Sequence, residues 1–488
     1  MLNHSYFTLN LINSYYLIIH KISVIIMYDI IIIGAGTAGI TAYQEAIKHT
    51  QNILIINDGS WDTTCARVGC MPSKVLISAA HRLHDLHEAN KVGLNIKAQV
   101  DTTQVMPHVR ALRDHFTQAT LKEVESWDAQ HKIQGKAEFI DAQTVQVNQQ
   151  QYQAKAFILA VGSTPTYDAE WKQQLGERLI TSDQIFELDA IPKSLAVIGS
   201  GVIALELAQA MQRLGCDTTI FARSRRVGAL TSPDLQQLAQ ELLSNELKIK
   251  FEVLPQKVEK VGNQVKLEFS EQGQTQHLMV DYVLVATGRR SHLDSLNLQQ
   301  IDSQFGNLKE LPIDPQTKQL GNYPIFVVGD AHTSTPIQHE AAHEGRGAVH
   351  NCLNYPKLKN LKDLTSLSIV FSQPEMAIAG QSYKQLKNKN IDFVIGKVSY
   401  ERQGRAMVLA KNKGAVEIYI DKRTRQLLGA ELFVKSAEHF AHTFAWLIDE
   451  GVTLDELLAK PFYHPTLEEG LRTALKHARR QLRNQEEG

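Results

Sequence analysis

Two cysteines followed by a predicted helix start form the segment with the clearest chemical signature. Cys65 and Cys70 lie in the run Thr63 to Lys74, and Pro72 comes two positions after Cys70. Because proline is tolerated in the first turn of a helix, Cys70 is predicted to lie near a helix N-terminus, where the helix dipole stabilises a thiolate and lowers the pKa of the thiol. The spacing predicts a pair of redox-active thiols; two buried, inert cysteines are the alternative interpretation.

The other two cysteines, Cys216 and Cys352, have no such setting and are predicted to fill the core. Four cysteines are too few for a secreted disulfide framework, so we expect a reducing, cytoplasmic compartment. A zinc site would need four ligands, and no second cysteine pair completes one, so no metal is expected.

A glycine-rich turn follows the first buried strand that the sequence predicts. The apolar run Ile30 to Ile33 is typical of a parallel strand buried on both faces, and Gly34, Gly36 and Gly39 follow it in the pattern GxGxxG. A helical stretch and a second strand, Ile53 to Ile56, complete a βαβ unit. Glycines at these positions allow a tight turn, close approach of a pyrophosphate and close helix packing, so the unit predicts a dinucleotide site.

The acid that binds the ribose hydroxyls in such units comes about 20 residues after the last glycine. That region holds Asn57 and then Asp58, so Asp58 is the candidate carboxylate, although it comes one position late.

A second βαβ unit of the same kind occurs further along the chain. The strand Leu195 to Ile198 leads into Gly199 and Gly201, and Ala204 stands at the third glycine position, which the pattern allows. Two such units predict two nucleotide cofactors in one chain.

The end of the next predicted strand indicates which nucleotide the second unit binds. An acid there favours NAD because it binds the ribose 2′-hydroxyl, whereas arginine accommodates a 2′-phosphate. This chain has Arg223, Arg225 and Arg226, with no acid beside them. The cluster favours NADPH over NADH, since a guanidinium group binds phosphate with paired hydrogen bonds; a solvated basic turn is the alternative.

The whole chain has the size and composition of a multidomain globular protein. Its 488 residues predict about three domains, and 43% hydrophobic with 21% charged residues exclude a disordered chain. Lys and Arg total 51 against 52 Asp and Glu, so no overall charge attracts nucleic acid or anionic lipid, and neither is expected as a partner.

The first 26 residues differ from the rest of the chain. Polar residues interrupt the apolar run Leu9 to Ile26, so it predicts no membrane span, and no Lys or Arg precedes it as in a signal peptide. Because Met27 opens a segment that could start a soluble domain, residues 1–26 are interpreted as an N-terminal extension outside the fold.

Together with the two cysteines, further segments resemble one enzyme family, the class I FAD-dependent pyridine nucleotide-disulfide oxidoreductases, and within it the dihydrolipoamide dehydrogenases. The resemblance extends from Tyr28 nearly to the C-terminus, and Cys65 to Lys74 is its most specific part. The other matching segments are Leu159 to Pro165 with Gly162, Val285 to Arg290 with Gly288, Ile325 to Asp330, Val370 to Glu375, and Tyr463 to Glu469.

The resemblance implies an α/β fold with two Rossmann-like nucleotide-binding domains, one for FAD and one for NAD(P), and a C-terminal α+β dimerisation domain. The predicted boundaries are 27–165 and 286–360 for the FAD-binding domain, 166–285 for the NAD(P)-binding domain, and 361–488 for the dimerisation domain. Gly162 and Gly288 are assigned to cofactor binding where the chain crosses between domains, and Asp330 to the ribityl chain of FAD.

The resemblance also implies roles for the reactive residues. Cys65 is the interchange thiol that meets the substrate, Cys70 is the thiolate beside the flavin, and His464, oriented by Glu469, is the acid-base group. In the family this histidine comes from the other subunit, so a homodimer is implied.

Lys74 is implied to pair with Glu206, on the helix of the second βαβ unit, and the pair is assigned to catalysis and cofactor binding beside the flavin. A purely structural salt bridge is the alternative.

The family holds several activities, and the predicted one is dihydrolipoyl dehydrogenase, which exchanges electrons between NAD(P)(H) and a dithiol or disulfide. A glutathione-reductase-type enzyme that uses NADPH is an alternative, because dihydrolipoamide dehydrogenases typically have an acid where Arg223 stands. A docking component of a lipoyl multienzyme complex is another. Mercuric reductase is disfavoured, because its extra C-terminal cysteine pair has no match after Cys352.

Overall fold

The structure is a computed structural model that describes residues 27–97, 99–332 and 336–486. The predicted N-terminal extension, residues 1–26, lies outside the described residues. The helices are α1 (Thr37–Ala46), α2 (Thr64–Arg67), α3 (Cys70–His87), α4 (Val105–Glu125), α5 (Ala169–Leu175), α6 (Val202–Arg213), α7 (Pro233–Ser244), α8 (Gln338–Asn354), α9 (Tyr383–Asn388), α10 (Gly404–Val408), α11 (Ala437–Asp449), α12 (Leu454–Leu458) and α13 (Glu469–Glu486).

Strands alternate with these helices in the first half of the chain and dominate the middle of it. They are β1 (Met27–Ile33), β2 (Ile53–Asn57), β3 (Lys132–Gln134), β4 (Glu138–Asp141), β5 (Thr144–Val147), β6 (Gln150–Leu159), β7 (Ser163–Pro165), β8 (Leu179–Thr181), β9 (Ser194–Ile198), β10 (Asp217–Ala222), β11 (Lys248–Phe251), β12 (Pro255–Val261), β13 (Gln264–Glu271), β14 (Gln274–Val280), β15 (Tyr282–Val285), β16 (Arg289–Ser291), β17 (Ile325–Val327), β18 (Leu367–Val370), β19 (Glu375–Gly380), β20 (Phe393–Ser399), β21 (Ala415–Asp421) and β22 (Leu427–Val434).

The described chain forms two compact units. The first consists of residues 27–63, 121–163 and 291–362, and the second of residues 64–120, 164–290 and 363–486. The division into three domains that the sequence predicts is a finer one, and it stays a prediction.

The first unit is built on a largely parallel sheet. Its order is β3-β2-β1-β6, with β17 parallel to β6 and the antiparallel strands β5 and β4 beyond. Ile30 to Ile33 pair in register with Ile53 to Ile56, and all eight side chains are at most 4% exposed. Continuous aliphatic runs of this kind suit a strand that is covered on both faces, as the sequence predicts.

The second unit contains a second parallel sheet of order β11-β10-β9-β15-β8. It also contains an antiparallel sheet of order β18-β19-β22-β21-β20, against which α11 and α13 pack. The predicted fold class, two Rossmann-like parallel sheets and a C-terminal α+β part, is confirmed. The predicted core cysteines are buried in the described chain, at 1% exposure for Cys216 and 7% for Cys352.

Candidate active site

The three glycines of the first glycine turn differ in backbone conformation and in the space around them. Gly34 has φ +105°, and a Cβ atom there would lie 2.3 Å from the Ala160 carbonyl oxygen. A Cβ on Gly39 would lie 1.9 Å from the Gly34 carbonyl oxygen, so only glycine lets α1 pack this closely on β1. A Cβ on Gly36 would meet no atom within 4 Å, so that glycine borders open space.

This open space lies at the N-terminus of α1, which begins after Gly36 with no side-chain cap and no acid in its first turn. Uncapped backbone N–H groups and the positive end of the helix dipole are what a pyrophosphate binds. The turn therefore fits the diphosphate of a dinucleotide such as FAD.

The second predicted FAD segment lies beside the same helix. Gly329 has φ +64°, and a Cβ there would lie 3.2 Å from the Cβ of Ala38 in α1. Its N–H donates a 2.7 Å hydrogen bond to Glu344, which also pairs with Lys318 at 2.8 Å. The fold thus places Asp330, the next residue, close to the glycine turn. No sequence pattern predicts Glu344 as part of this site.

The end of β2 places Asn57 inward and Asp58 outward. The Asn57 side-chain oxygen accepts a 3.0 Å hydrogen bond from the Ala35 N–H, and its side-chain nitrogen donates to the carbonyl oxygens of Gly59 and Ser60 at 2.9 Å each. Asp58 is exposed. Asn57 therefore stabilises the turn through its side-chain hydrogen bonds, and the Asp58 carboxylate is exposed at the edge of the turn.

The second glycine turn repeats the geometry of the first. Gly199 has φ +120° with the Ala286 carbonyl oxygen 2.5 Å from a hypothetical Cβ, while Gly201 borders open space and Ala204 is fully buried. Gly288, just after β15, has φ +121°. This turn also fits a dinucleotide diphosphate at the N-terminus of α6.

The three arginines lie on an exposed turn after β10. Ser200, between the two glycines, donates a 2.6 Å hydrogen bond to the Arg226 carbonyl oxygen, and so fixes the arginine turn beside the glycine turn. The Arg225 guanidinium lies 5.3 Å from the centre of the Phe251 ring, and both line a cavity of about 520 Å³ against α7. Within the described residues, Arg223, Arg225 and Arg226 form no ion pair with a carboxylate, so their charge is available to a phosphate.

The two thiols meet because a glycine joins α2 to α3. A Cβ on Gly69, the residue before α3, would lie 3.1 Å from the Thr64 carbonyl oxygen, so the chain turns back tightly. Cys70 is the first residue of α3, as the position of Pro72 predicts, and Cys65 lies on α2. Both cysteines are in the thiol or thiolate form, with no disulfide between them.

The two thiols differ in proton affinity. The pKa of Cys70 is lowered to about 7, mainly by a hydrogen bond from Cys65 and also by the nearby Lys74 charge, while burial opposes both effects. The same hydrogen bond, with burial, raises the pKa of Cys65. Cys70 is therefore the thiolate of the pair, and Cys65 holds the shared proton.

Lys74 and Glu206 form an ion pair next to the thiols. The Lys74 ammonium lies 2.9 Å from one Glu206 oxygen and 4.6 Å from the centre of the Phe371 ring. The other Glu206 oxygen accepts a 2.8 Å hydrogen bond from the Phe371 N–H. Glu206 is only 5% exposed, so its charge depends on these partners.

Two further polar residues of α6, Gln209 and Arg213, also bind the segment that follows Phe371. Neither was predicted as a site residue. Gln209 exchanges hydrogen bonds with the Gln373 backbone, at 2.8 and 3.0 Å, and Arg213 pairs with Glu246 and with the Gln373 side chain. Their spacing from Glu206, three and seven positions, puts all three on one helix face. Polar residues at that spacing on an otherwise apolar helix were the available sequence signal.

His464 and Glu469 form the other predicted pair. The His464 Nδ1 lies 3.0 and 3.1 Å from the two Glu469 carboxylate oxygens, and the Thr466 N–H donates to one of them at 3.1 Å. The hydrogen bond with His464 is the main cause of a lowered pKa of Glu469. The His464 side chain is 80% exposed, and in the described chain no hydrogen bond joins it to Cys65 or Cys70.

Two other kinds of site are absent from the described residues. No group of three or more His, Cys, Asp or Glu side chains there could hold a metal ion. No helix in the same part of the chain is long and apolar enough to span a membrane.

Two family profiles match the chain. Residues 28–345 match the profile described as pyridine nucleotide-disulphide oxidoreductase, and residues 366–475 match the dimerisation domain of the same family.

Individual relatives match nearly the whole chain. A mercuric reductase of Staphylococcus aureus is 29% identical, covering 92% of this chain and 82% of the relative. A dihydrolipoyl dehydrogenase of Geobacillus stearothermophilus is also 29% identical, covering 90% and 94%. A dihydrolipoyl dehydrogenase of Mycoplasma pneumoniae is 30% identical, covering 92% and 98%.

Solved structures share the fold at lower identity. LpdA from Mycobacterium tuberculosis superposes with a TM-score of 0.79 at 22% identity, covering 93% of this chain and 99% of that one. The Cu(II) complex of the HOCl-induced flavoprotein disulfide reductase RclA from Escherichia coli gives 0.76 at 19% identity, covering 92% and 99%.

Proposed function

The chain belongs to the pyridine nucleotide-disulphide oxidoreductase family, and on that premise we propose that it exchanges electrons between NAD(P)(H) and a dithiol or disulfide substrate through FAD and the thiols of Cys65 and Cys70. The observation that carries the proposal is that the tight turn at Gly69 joins the helix of Cys65 to Cys70 at the start of α3, where the pKa of Cys70 is lowered. FAD, when bound, supplies the two-electron exchange with the nicotinamide nucleotide.

The unequal protonation assigns a role to each sulfur. In the direction of dithiol oxidation, a substrate thiolate attacks the Cys65 Sγ of a Cys65–Cys70 disulfide, and the S–S bond breaks. Cys70 is the leaving group, because the sulfur with the lower pKa leaves faster. The second substrate sulfur then attacks the mixed disulfide, releasing oxidised substrate and leaving Cys65.

Two protons leave the substrate in this exchange. Cys65 keeps one, in accordance with its raised pKa. We assign the other to His464 Nε2, because Nδ1 faces the Glu469 carboxylate and Nε2 is the nitrogen left for the substrate. The Lys74 charge favours the Cys70 thiolate that remains.

The two glycine turns are assigned to the two cofactors. Gly34, Gly36 and Gly39, with Asp58 and Asp330, are proposed to hold FAD, supported by the uncapped helix start and the nearness of the Asp330 segment. Gly199 and Gly201 are proposed to hold the nicotinamide nucleotide in the same way.

NADPH is the proposed nucleotide. Arg223, Arg225 and Arg226 stand exposed and without carboxylate partners in the described chain, beside the turn that would hold the diphosphate. A 2′-phosphate there would receive charge-assisted hydrogen bonds that a 2′-hydroxyl could not match.

A homodimer is proposed to complete the site. His464 is exposed and makes no hydrogen bond to the thiols of its own chain in the described structure, while residues 366–475 match the family's dimerisation domain. Tyr463, beside His464, is 81% exposed, and Trp446 is 67% exposed. Large exposed aromatic side chains of this kind are typical of a surface that a partner covers.

Dihydrolipoyl dehydrogenase activity is the proposed specificity, and the matching relatives with that name support it. Mercuric reductases match equally well in sequence, but the chain has no cysteine after Cys352 to act as a second, C-terminal thiol pair. A glutathione-reductase-type activity is the alternative that the exposed arginines favour. Four cysteines and the absence of a secreted disulfide framework favour a cytoplasmic location.

Steady-state assays of the purified protein test this proposal. The substrates are dihydrolipoamide, lipoamide, glutathione disulfide and Hg²⁺, each with NAD(H) and NADP(H). We expect turnover of the lipoyl compounds, abolished in Cys65→Ser. Turnover of glutathione disulfide alone would move the assignment to the alternative, and full turnover in Cys65→Ser would remove Cys65 from the mechanism.

A further inference from the structure

A buried glutamate on β22 has no part in the proposed mechanism. Glu431 is at 0% exposure, in the antiparallel sheet of the second unit. It binds the backbone of Thr231 and Ser232, which lie 200 and 199 residues earlier in the chain. Burying a charge costs free energy unless hydrogen-bond donors compensate it, so the partners of Glu431 show what this charge contributes.

Each carboxylate oxygen of Glu431 accepts two hydrogen bonds. One oxygen accepts from the Thr231 N–H at 2.6 Å and from the Ser232 N–H at 3.0 Å. The other accepts from the Thr231 hydroxyl at 2.5 Å and from the Tyr383 N–H at 2.9 Å. Ser232 directly precedes α7, and its own side chain makes no capping hydrogen bond. Glu431 is therefore the group that fixes the start of α7.

The segment that this carboxylate fixes continues directly from the arginine turn. Residues 227–230 separate Arg226 from the first residue that the carboxylate binds. The Gln236 side chain of α7 bridges this stretch, because it accepts from the Val227 N–H at 3.0 Å and donates to the carbonyl oxygens of Val227 and Leu230 at 2.8 and 2.7 Å. Val227 and Leu230 are at most 1% exposed. The stretch is a packed connection, so a displacement of the α7 start also displaces the arginines.

The arginine turn is also fixed to the second glycine turn. Ser200 donates a 2.6 Å hydrogen bond to the Arg226 carbonyl oxygen, and the Ser200 carbonyl oxygen accepts one of 2.8 Å from the Gly228 N–H. Gly228 has φ +60°, and a Cβ there would lie 2.3 Å from the Met376 Sδ on β19. The arginine turn is therefore held between the glycine turn and the antiparallel sheet.

We propose that Glu431 is a positioning residue for nucleotide selection: by fixing the start of α7, it sets the arginines at the distance from the glycine turn that a 2′-phosphate requires. Because it is fully buried, Glu431 acts through the turn and does not contact the nucleotide. The inference rests on the proposed preference for NADPH and deepens it, since it assigns part of that preference to a residue outside the parallel sheet.

Two substitutions weaken this contact to different degrees. Glu431→Gln keeps the size of the side chain but replaces one oxygen by an NH₂ group, which cannot accept a hydrogen bond. Since each oxygen accepts two bonds, two donors lose their acceptor in either orientation of the amide. Thr231→Val is the milder variant, because it removes the hydroxyl and keeps the carboxylate with its three backbone N–H donors.

Two matched nucleotides measure recognition of the 2′-phosphate without turnover. Adenosine 2′,5′-bisphosphate and adenosine 5′-monophosphate differ only by that phosphate, and neither is oxidised or reduced. Their binding to the full-length FAD-loaded protein is measured by isothermal titration calorimetry. KM and kcat with NADPH and with NADH are measured in parallel for lipoamide reduction.

We expect the wild-type protein to bind the bisphosphate at least about tenfold more tightly, the effect of one charge-assisted hydrogen bond. Glu431→Gln should lower this ratio about fivefold and Thr231→Val about twofold, because displaced guanidinium groups lose part of their bonds to the phosphate. Affinity for the monophosphate should not change. The KM for NADPH should rise by the same factors, with the KM for NADH and both kcat values retained.

The matched control is Glu375→Gln on β19, the strand that pairs with β22. Glu375 is also buried, at 6% exposure, and accepts hydrogen bonds from the Ser436 and Glu438 N–H groups at 3.2 and 3.1 Å, at the start of α11. This variant should lose thermal stability and keep the wild-type ratio. Melting temperature and FAD content are measured for every variant.

Three results would overturn the proposal. An unchanged ratio in Thr231→Val, and in Glu431→Gln where it folds, would show that the contact does not set the arginine turn. An equal loss of the ratio in Glu375→Gln would reduce the effect to a general loosening of the sheet. A wild-type protein that binds both nucleotides equally would overturn the NADPH assignment together with this inference, whereas the first two results would overturn the inference alone.

Discussion

At the scale of single residues, the two thiols are distinguished by one shared proton. A hydrogen bond from the Cys65 thiol is the largest cause both of the lowered pKa of Cys70, about 7, and of the raised pKa of Cys65. Since the folded pKa of Cys70 lies below that of a free thiol, its thiolate stabilises the fold above about pH 8.5, and this contribution is lost as the pH falls through about 7. The position of Cys70 at a helix start was predictable from sequence; its hydrogen bond with Cys65 was not, because it depends on the tight turn at Gly69 that brings the two residues together.

Removing the donor should raise the pKa of the thiolate. In Cys65→Ala, Cys70 loses the largest cause of its lowered pKa, so we expect its pKa to move toward that of a free thiol, about 8.5. The measurement is the rate of iodoacetamide alkylation of Cys70 against pH. Cys216 and Cys352 are buried with raised pKa values and give little background. An unchanged midpoint in Cys65→Ala would contradict this assignment of the proton.

The arginine turn should determine the nucleotide preference. Charge-assisted hydrogen bonds contribute about 1.5–3 kcal/mol each, and about 1.4 kcal/mol is a factor of ten in affinity. We therefore expect a higher kcat/KM with NADPH than with NADH, and a loss of that preference in Arg223→Ala/Arg225→Ala. The loss should come mainly through a raised KM for NADPH, because a 2′-phosphate is remote from the reacting atoms.

The matched control for the arginine turn is Lys248→Ala/Lys250→Ala on β11, which removes two cations from the same sheet. It should keep the preference for NADPH. If the wild-type protein favours NADH tenfold, the three arginines form only a solvated basic turn and do not bind a 2′-phosphate.

At the scale of elements, the glycine turns were predictable because each glycine answers a local requirement. The six-residue pattern specifies a tight turn at Gly34, open space at Gly36 and close packing at Gly39. The polar row of α6 was not predictable in the same way. The polar spacing is visible in the sequence, but the partners Phe371 and Gln373 are 165 and 164 residues away from Glu206 and Gln209, so no local pattern shows which residues the row contacts.

The different surroundings of the glycines give a sharp prediction. Gly36→Ala puts a methyl group into open space, so the protein should fold but lose FAD affinity, because the methyl group occupies the volume that the diphosphate needs. Gly39→Ala puts a methyl group 1.9 Å from a backbone oxygen and should destabilise the fold itself. Circular dichroism and the absorbance of released flavin separate the two effects. Full FAD content in Gly36→Ala would contradict the assigned site.

At the scale of the whole molecule, the thiols and the acid-base pair of the candidate site come from distant parts of the sequence. The thiols and the pair of His464 and Glu469 show no hydrogen bond to each other in the described chain. Only the resemblance to the family, and not local sequence patterns, predicts that a second chain supplies the histidine. The exposed aromatic side chain of Tyr463, next to His464, agrees with a covered surface there.

Subunit mixing should therefore restore activity. Cys65→Ser and His464→Ala homodimers should each be inactive. After mixed refolding or coexpression, half of the dimers should be mixed, and each mixed dimer should hold one intact site, giving about a quarter of wild-type activity. The control is each variant mixed with itself. Activity that stays at the level of the homodimers would place the thiol and the histidine of one site on the same chain.

The thiol state of Cys65 and Cys70 before and after reduction tests the central claim most directly. The native holoenzyme is alkylated anaerobically, before and after addition of NADPH or NADH, and the modified cysteines are identified by mass spectrometry. We expect Cys65 and Cys70 to be protected as a disulfide before reduction and alkylated after one equivalent of nucleotide, with the buried Cys216 and Cys352 unmodified throughout. Labelling of Cys65 and Cys70 that neither nucleotide changes would contradict a redox role for this pair.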